Sequence, residues 1–203
     1  MRLRAWDLTI ERGGRRVIAE LSFEAPASAA LIVTGPNGAG KTSLLRALAG
    51  FLPIEAGGFA LDGGDGERTV GEQAHYLGHA DGVKAALTAG ENLAFAAAML
   101  AGDSSRKAQL AALAALGLSH VIDFPARLLS AGQRRRVALA RLLMAERPLW
   151  LLDEPTTALD AGAQQAFAGI VRRFLANGGL VVVATHAPLG LDGAHELRLG
   201  ATM

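Results

Sequence analysis

Three short apolar runs recur along the chain, each ending in polar residues or glycine: Ala-Leu-Ile-Val-Thr at 30–34, Leu-Trp-Leu-Leu at 149–152 and Leu-Val-Val-Val-Ala at 180–184. Apolar runs of this length without alternation predict strands buried on both faces, as in a parallel sheet. The first two dozen residues alternate instead. Leu3, Ala5, Leu8 and Ile10 precede Glu11-Arg12-Gly13-Gly14, and Val17, Ile18, Leu21 and Phe23 follow it. That pattern predicts an antiparallel hairpin of half-buried strands. Residues 58–62, ending in the turn-rich Gly63-Gly64-Asp65-Gly66, predict a further strand beside the hairpin. Residues 75–79 read as one more short strand leaving the core.

Helical spacing fills the gaps. Residues 43–50 have helical periodicity and stop at Gly50. Residues 87–118 are nearly all helix formers; Thr88-Ala89-Gly90-Glu91 has the form of a capping box, and Gly102-Asp103-Ser104 breaks one helix before Ser105 starts another. A helix over 160–177, stopped by Gly178-Gly179, predicts the crossover between the last two apolar strands. The expected architecture is one α/β domain over 1–203. It has an antiparallel β part at 1–30 and 55–70, a core at 31–54, 71–82 and 136–203, and an inserted helical lobe at 83–135.

The first apolar strand runs into Gly35-Pro36-Asn37-Gly38-Ala39-Gly40-Lys41-Thr42, followed by Ser43, and so into a helix. This is the spacing of a P-loop in the strand–loop–helix context that the motif requires. Glycines let successive backbone N–H groups turn toward one anion, and the helix start adds the positive end of its dipole. The phosphates of a nucleotide are the expected guest. Lys41 would lie against the β- and γ-phosphates, and the Thr42 hydroxyl would ligate Mg²⁺.

The other two apolar strands also end in chemistry. In an open parallel sheet the ligand crevice lies outside the carboxyl ends of the strands, so Asp153-Glu154 and Thr185-His186 are expected at the same site as the P-loop. Asp153 suits Mg²⁺, and Glu154 can polarise a water for in-line attack, which argues for hydrolysis rather than binding alone. Elsewhere, Leu129-Ser130-Ala131-Gly132-Gln133 opens a helix carrying Arg134, Arg135, Arg136 and Arg141. Small residues and a serine at a helix start form a second anion-binding element. Most of those arginines read as a solvated helix face. Two phosphate-binding helix starts far apart in one chain suggest a nucleotide held between two copies of the protein.

Composition narrows the function further. Of 203 residues 51% are apolar and 19% charged, which excludes a disordered polyelectrolyte, and a formal net charge of +1 gives no electrostatic case for nucleic acid. With no cysteine, disulfides, thiolate metal sites and cysteine nucleophiles are excluded. No window approaches the roughly 18 apolar residues of a membrane span, and the N-terminus has no signal-peptide core. The expectation is a soluble cytosolic protein whose Ala- and Leu-rich surface leaves room for docking onto something apolar.

The ordered set 35–42, 129–133, 149–154, 158–160 and His186 resembles the Walker A, signature, Walker B, D-loop and switch-histidine motifs of ABC-type ATPases. That resemblance implies the ABC ATPase fold: a P-loop NTPase core of the RecA-like kind, with an N-terminal antiparallel β subdomain and an inserted α-helical subdomain. It also implies a head-to-tail dimer in which Ser130 and Gly132 of one copy face the γ-phosphate held by Lys41 of the other. Asp160 would tie the two sites together, and His186 would hold the γ-phosphate and the attacking water. Two positions depart from the family pattern. His79 stands where most members have a glutamine that helps hold Mg²⁺, and Arg12 stands where many stack an aromatic ring on adenine. A neutral imidazole could take the first role and a guanidinium the second.

These departures, with Thr88-Ala89-Gly90-Glu91-Asn92-Leu93 and a signature followed by three arginines, make the whole chain similar to the ATP-binding subunits of the bacterial haem exporter of cytochrome c maturation. The resemblance implies a peripheral subunit on the cytoplasmic face of the inner membrane, docked on integral membrane subunits of the CcmB/CcmC kind. ATP hydrolysis would drive haem export or release of a haem-loaded chaperone, with haem not bound directly by this chain. The docking surface is expected in a groove between core and helical lobe near residues 79–92. The alternatives are an ATPase subunit of another small-molecule or lipid exporter, and a nucleotide-binding regulator, against which Glu154 and His186 argue. ABC-type ATPases of DNA repair, chromosome organisation or translation need a long coiled-coil insertion or tandem cassettes, and neither fits this length.

Overall fold

The computed structural model describes all residues except 187–189, 192 and 201–203. Its elements run β1 (Arg2–Arg12), β2 (Arg15–Pro26), β3 (Ala30–Thr34), α1 (Lys41–Leu48), β4 (Ala56–Asp62), β5 (Ala74–Leu77), α2 (Ala89–Met99), α3 (Arg106–Ala114), α4 (Ala131–Ala140), β6 (Leu149–Asp153), α5 (Ala161–Ala176), β7 (Leu180–Ala184) and β8 (His195–Arg198), with short 3₁₀ turns between. The alternating segments form a three-stranded antiparallel sheet of order β2-β1-β4, and the apolar runs form a five-stranded parallel sheet of order β5-β6-β7-β3-β8. This is the expected fold class. β8, at the edge beyond β3, is an addition: its sequence His-Glu-Leu-Arg carries no apolar run.

The chain divides into two compact units, one of residues 1–78, 147–154 and 171–203, the other of 79–146 and 155–170. In the first, the inward residues of both sheets make one core with α1: Leu3, Leu8 and Ile10 from β1, Val33 from β3, Leu151 from β6 and Val182 from β7 meet Leu44, Leu45 and Leu48. β6 and β7 are buried along their whole length, which is why they read as uninterrupted apolar runs. Trp150 of β6 stacks on Phe174 of α5 at a ring-centroid distance of 3.9 Å.

The second unit is helical. α2 starts at the expected capping box: the Glu91 N–H donates to Thr88 Oγ1 at 3.1 Å, and the Thr88 N–H donates to the Glu91 carboxylate at 2.7 Å. Ser105 caps α3 by accepting from the Ala108 N–H. Buried Leu93, Ala97, Leu113, Leu116 and Val121 give this unit its own core. On its surface Arg106 grips Asp123 with two hydrogen bonds of 2.7 Å, which lower the Asp123 carboxyl pKa and raise that of Arg106. Because the folded-state carboxyl pKa is depressed, the pair's contribution is present above the ordinary carboxylate pKa and is lost as pH falls through the lowered value.

Two glycines test this packing with opposite signs. Gly57 of β4 has φ +75°, and a Cβ there would lie 2.2 Å from the Asp7 carbonyl oxygen and 2.3 Å from that of Trp6, where β1 bulges. Gly169, inside α5, has open space around the position of a Cβ. Gly57→Ala should destabilise the protein by about 2–3 kcal/mol or more. Gly169→Ala should stabilise it by about 0.5–1 kcal/mol. Urea denaturation of the two variants beside the parent checks both; equal midpoints would contradict the backbone contact at Gly57.

Candidate active site

β3, β7 and β6 lie side by side and parallel, and Ala184 at the end of β7 is level with both Val33 and Asp153. The segments that follow these strands therefore emerge at one edge of the sheet. After β3 comes the glycine-rich loop, whose last glycine, Gly40, has φ +97°; a Cβ there would come within 2.9 Å of Ile18 and 3.0 Å of the Val17 carbonyl oxygen. α1 begins at Lys41 with no side-chain cap, unlike α2, α3 and α4. The first-turn N–H groups of Lys41, Thr42 and Ser43 are thus left for an anion at the mouth of the loop. The Lys41 ammonium donates to the carbonyls of Gly35 at 2.7 Å and Pro36 at 3.0 Å. The side chain is folded back onto the first two residues of the loop formed by Gly35, Pro36, Asn37, Gly38, Ala39 and Gly40, so the loop carries a fixed positive charge.

The Thr42 hydroxyl donates to Asp153 Oδ2 at 2.9 Å, joining the loop helix to the end of β6. Asp153 is buried. Glu154 follows with φ +47°, a left-handed conformation that strains a non-glycine residue by roughly 1–3 kcal/mol. It is held by its own N–H, which donates to the Ala184 carbonyl at 2.8 Å, and by Thr185 Oγ1, which donates to Glu154 Oε2 at 3.3 Å. Glu154 Oε1 lies 3.9 Å from His186 Nε2, and the histidine is largely exposed. Carboxylate and imidazole thus stand at one spot beside the Thr42–Asp153 pair, all within the first unit. Arg12 is exposed at the tip of the β1–β2 hairpin, next to the two-residue turn Gly13-Gly14.

The signature and D-loop residues fall in the second unit, together with the exposed His79. Ser130 caps α4 in a complete capping box: the Gln133 N–H donates to Ser130 Oγ at 3.1 Å, and the Ser130 N–H donates to Gln133 Oε1 at 2.9 Å. The cap uses the serine oxygen as an acceptor, so the hydroxyl proton remains available to donate to a ligand. Leu129 is buried, whereas Ala131 at the first helical position is exposed. A Cβ on Gly132 would lie 2.9 Å from the Ala158 carbonyl oxygen, which places the start of α4 against the D-loop. Asp160 caps α5 by accepting from the Ala163 N–H at 2.7 Å.

Arg134, Arg135 and Arg136 of α4, and Arg141 just beyond its end, do not form the solvated face that their sequence suggests. Arg135 is buried, Arg134 donates to the Leu129 carbonyl, Arg136 to that of Leu116 at 3.3 Å, and Arg141 to that of Asp81 at 3.2 Å. Arg135 is fully buried and the other three are half-buried, and each guanidinium finds an acceptor within the protein. Burial lowers the pKa of Arg141 from its ordinary value.

A family model described as "ABC transporter" matches residues 18–157. The chain belongs to the ABC transporter family. It is 56% identical over 200 residues, 98% of each chain, to the cytochrome c biogenesis ATP-binding export protein CcmA of Nitrobacter winogradskyi. It is 54% identical to the CcmA protein of Nitrobacter hamburgensis over the full length of both. The fold matches a putative ABC transporter ATP-binding protein from Pyrococcus furiosus with TM-score 0.85 at 21% identity, covering 98% of each chain. As a member of the ABC transporter family the chain is an ATP-binding subunit and an ATPase. Among the described residues no helix is long and apolar enough to cross a membrane.

The phosphate cradle is tested by Lys41→Ala. ATP affinity measured by titration calorimetry should fall by about ten-fold or more, because a charge-assisted contact to phosphate is removed. Unaltered affinity would contradict the cradle.

Proposed function

We propose that this chain is the ATP-hydrolysing subunit of a membrane export complex for cytochrome c biogenesis, with haem, or release of a haem-loaded chaperone, as the process that it drives. The observation that carries this reading is the similarity to CcmA proteins, more than half of positions identical along the whole length of both chains. Haem would be handled by integral membrane subunits of the CcmB/CcmC kind rather than by this chain, which would sit at the cytoplasmic face of the bacterial inner membrane.

Two copies would pair head to tail around ATP. In each site the amides of residues 35–43 and the Lys41 ammonium would hold the phosphates. Thr42 and Asp153, two oxygen donors 2.9 Å apart, fit a hard divalent cation, and they would hold Mg²⁺. The ion would neutralise charge on the β- and γ-phosphates. Glu154 would accept a proton from water as its oxygen attacks the γ-phosphorus and the bond to the ADP oxygen breaks, with His186 orienting the water and the γ-phosphate. Ser130 and Gly132 of the second copy would close the site, with Leu129, Ala131 and Gln133 completing its helix start, and Asp160 would link the two sites. Arg12 would stack on adenine and His79 would contact the metal's water shell.

The surface of the second unit supports docking near 79–92. Residues 85–89 pair with 124–127 through backbone hydrogen bonds such as Ala126 N–H to Leu87 O at 2.8 Å. Phe124 and Leu128 stand exposed beside this pairing, and exposed Phe95 lies under Lys84, whose ammonium is 5.0 Å from the ring centre.

Glu154→Gln should keep ATP binding, reduce turnover by about a hundred-fold or more and trap an ATP-bound dimer in gel filtration. Unchanged hydrolysis would remove Glu154 as the base. Deleting the gene should abolish c-type cytochromes while other haem proteins persist, as haem-stained gels would report. Normal cytochromes would overturn the assigned process and leave an ATPase of another exporter.

A further inference from the structure

Arg135 is 3% exposed in its side chain, and its guanidinium reaches two separate segments. Nη1 meets Asp81 Oδ1 at 3.0 Å, and Nε donates to the carbonyl of Pro155 at 3.1 Å. Asp81 lies two residues beyond His79; Pro155 is bonded in sequence to Glu154; Arg135 itself is on α4, five residues after Ser130. All three partners belong to the second unit. Arg141, one helical turn and a half further along, fastens the same loop by donating to the carbonyls of Asp81 at 3.2 Å and Gly82 at 3.4 Å.

A buried cation is retained only where its donors are met by acceptors, since desolvation is otherwise prohibitive. The planar fork of arginine can serve two acceptors on different segments at once, whereas a lysine offers one compact charge. Three stretches of chain that carry separate parts of the ATPase reading are thus tied to one guanidinium.

We propose that Arg135 is a positioning residue for hydrolysis: with Asp81 it locks the loop after His79, the start of the signature helix and the backbone that follows Glu154 into one arrangement. A displacement of the 79–92 segment is then passed to Pro155 through a single rigid side chain. This inference rests on Glu154 acting as the base, which the Glu154→Gln variant tests by itself.

The test is steady-state ATP hydrolysis by the transporter complex carrying Arg135→Met, Arg135→Lys, Asp81→Ala or the Arg135→Met/Asp81→Ala pair, each followed by thermal unfolding. Arg135→Met should lower kcat by about ten-fold or more with KM for ATP within about two-fold, since the ATP-binding residues are untouched. Asp81→Ala should lower kcat in the same way, and the double variant should be no worse than Arg135→Met alone, as expected for one interacting pair. Arg135→Lys should recover part of the loss by keeping the charge beside Asp81. Asp81 is 28% exposed, so its variant carries the test should Arg135→Met fail to fold. Wild-type kcat in Asp81→Ala, additive losses in the double variant, or a fall in kcat fully explained by the fraction unfolded would each overturn the proposal. Full turnover in Glu154→Gln would instead remove the base while leaving the Arg135 comparison readable.

Discussion

The first unit depends on the level at which three parallel strands end. Ala184 pairs with Val33 on one side and Asp153 on the other, and its carbonyl accepts the Glu154 N–H. One residue of slip in β7 would move Thr185 and His186 off Glu154 and turn every side chain of the strand to its opposite face. The burial of β6 and β7 on both faces makes that slip costly, because each position already fills a fixed place in the core. Register, set by apolar packing remote from the chemistry, is what brings Thr42, Asp153, Glu154 and His186 together.

The same logic explains which parts of the molecule were legible in the sequence. The strands and the P-loop showed clearly because their function and their burial impose the same pattern: apolar run, then glycine or acid. The capping box at Thr88 was readable because capping is a local interaction spanning three residues, whereas Ser130 was read only as part of a helix start and its pairing with Gln133 came from the structure. β8 was not readable, since an edge strand with His195, Glu196 and Arg198 exposed has neither alternation nor apolar density. The left-handed turn of Glu154 left no trace either, as no glycine or asparagine marks it; the constraint comes from Ala184 and Thr185, roughly thirty residues away in sequence.

The arginines of α4 illustrate the limit most sharply. Arg134, Arg135 and Arg136 are identical letters in a row, and on an isolated helix they would point about 100° apart into water. Their different fates are decided by tertiary neighbours: the Leu129 carbonyl takes one, Asp81 and the Pro155 carbonyl take the second, and the Leu116 carbonyl takes the third. Helix periodicity does not separate them: Val137, Ala138, Leu139 and Ala140 are all buried, so each of the three arginines has buried residues three and four positions further on.

The two halves of the chemistry differ in how they are held. Within the first unit, the side chains proposed to act in hydrolysis are fixed by polar contacts at strand ends, and Glu154 is held in a strained backbone conformation. Within the second, Ser130 and Asp160 are each committed to capping their own helices, so the helix starts are preformed before any nucleotide arrives. On the proposed reading, a helix start already formed costs little to organise at the moment of reaction, which favours electrostatic stabilisation of a transferring phosphoryl group over rearrangement of the site. In the proposed dimer, what remains to be controlled is the approach of one copy's helix starts to the other copy's phosphate loop. We assign that step to the segments that carry Asp81 and Pro155 rather than to the phosphate loop, which the carbonyls of Gly35 and Pro36 tie to Lys41.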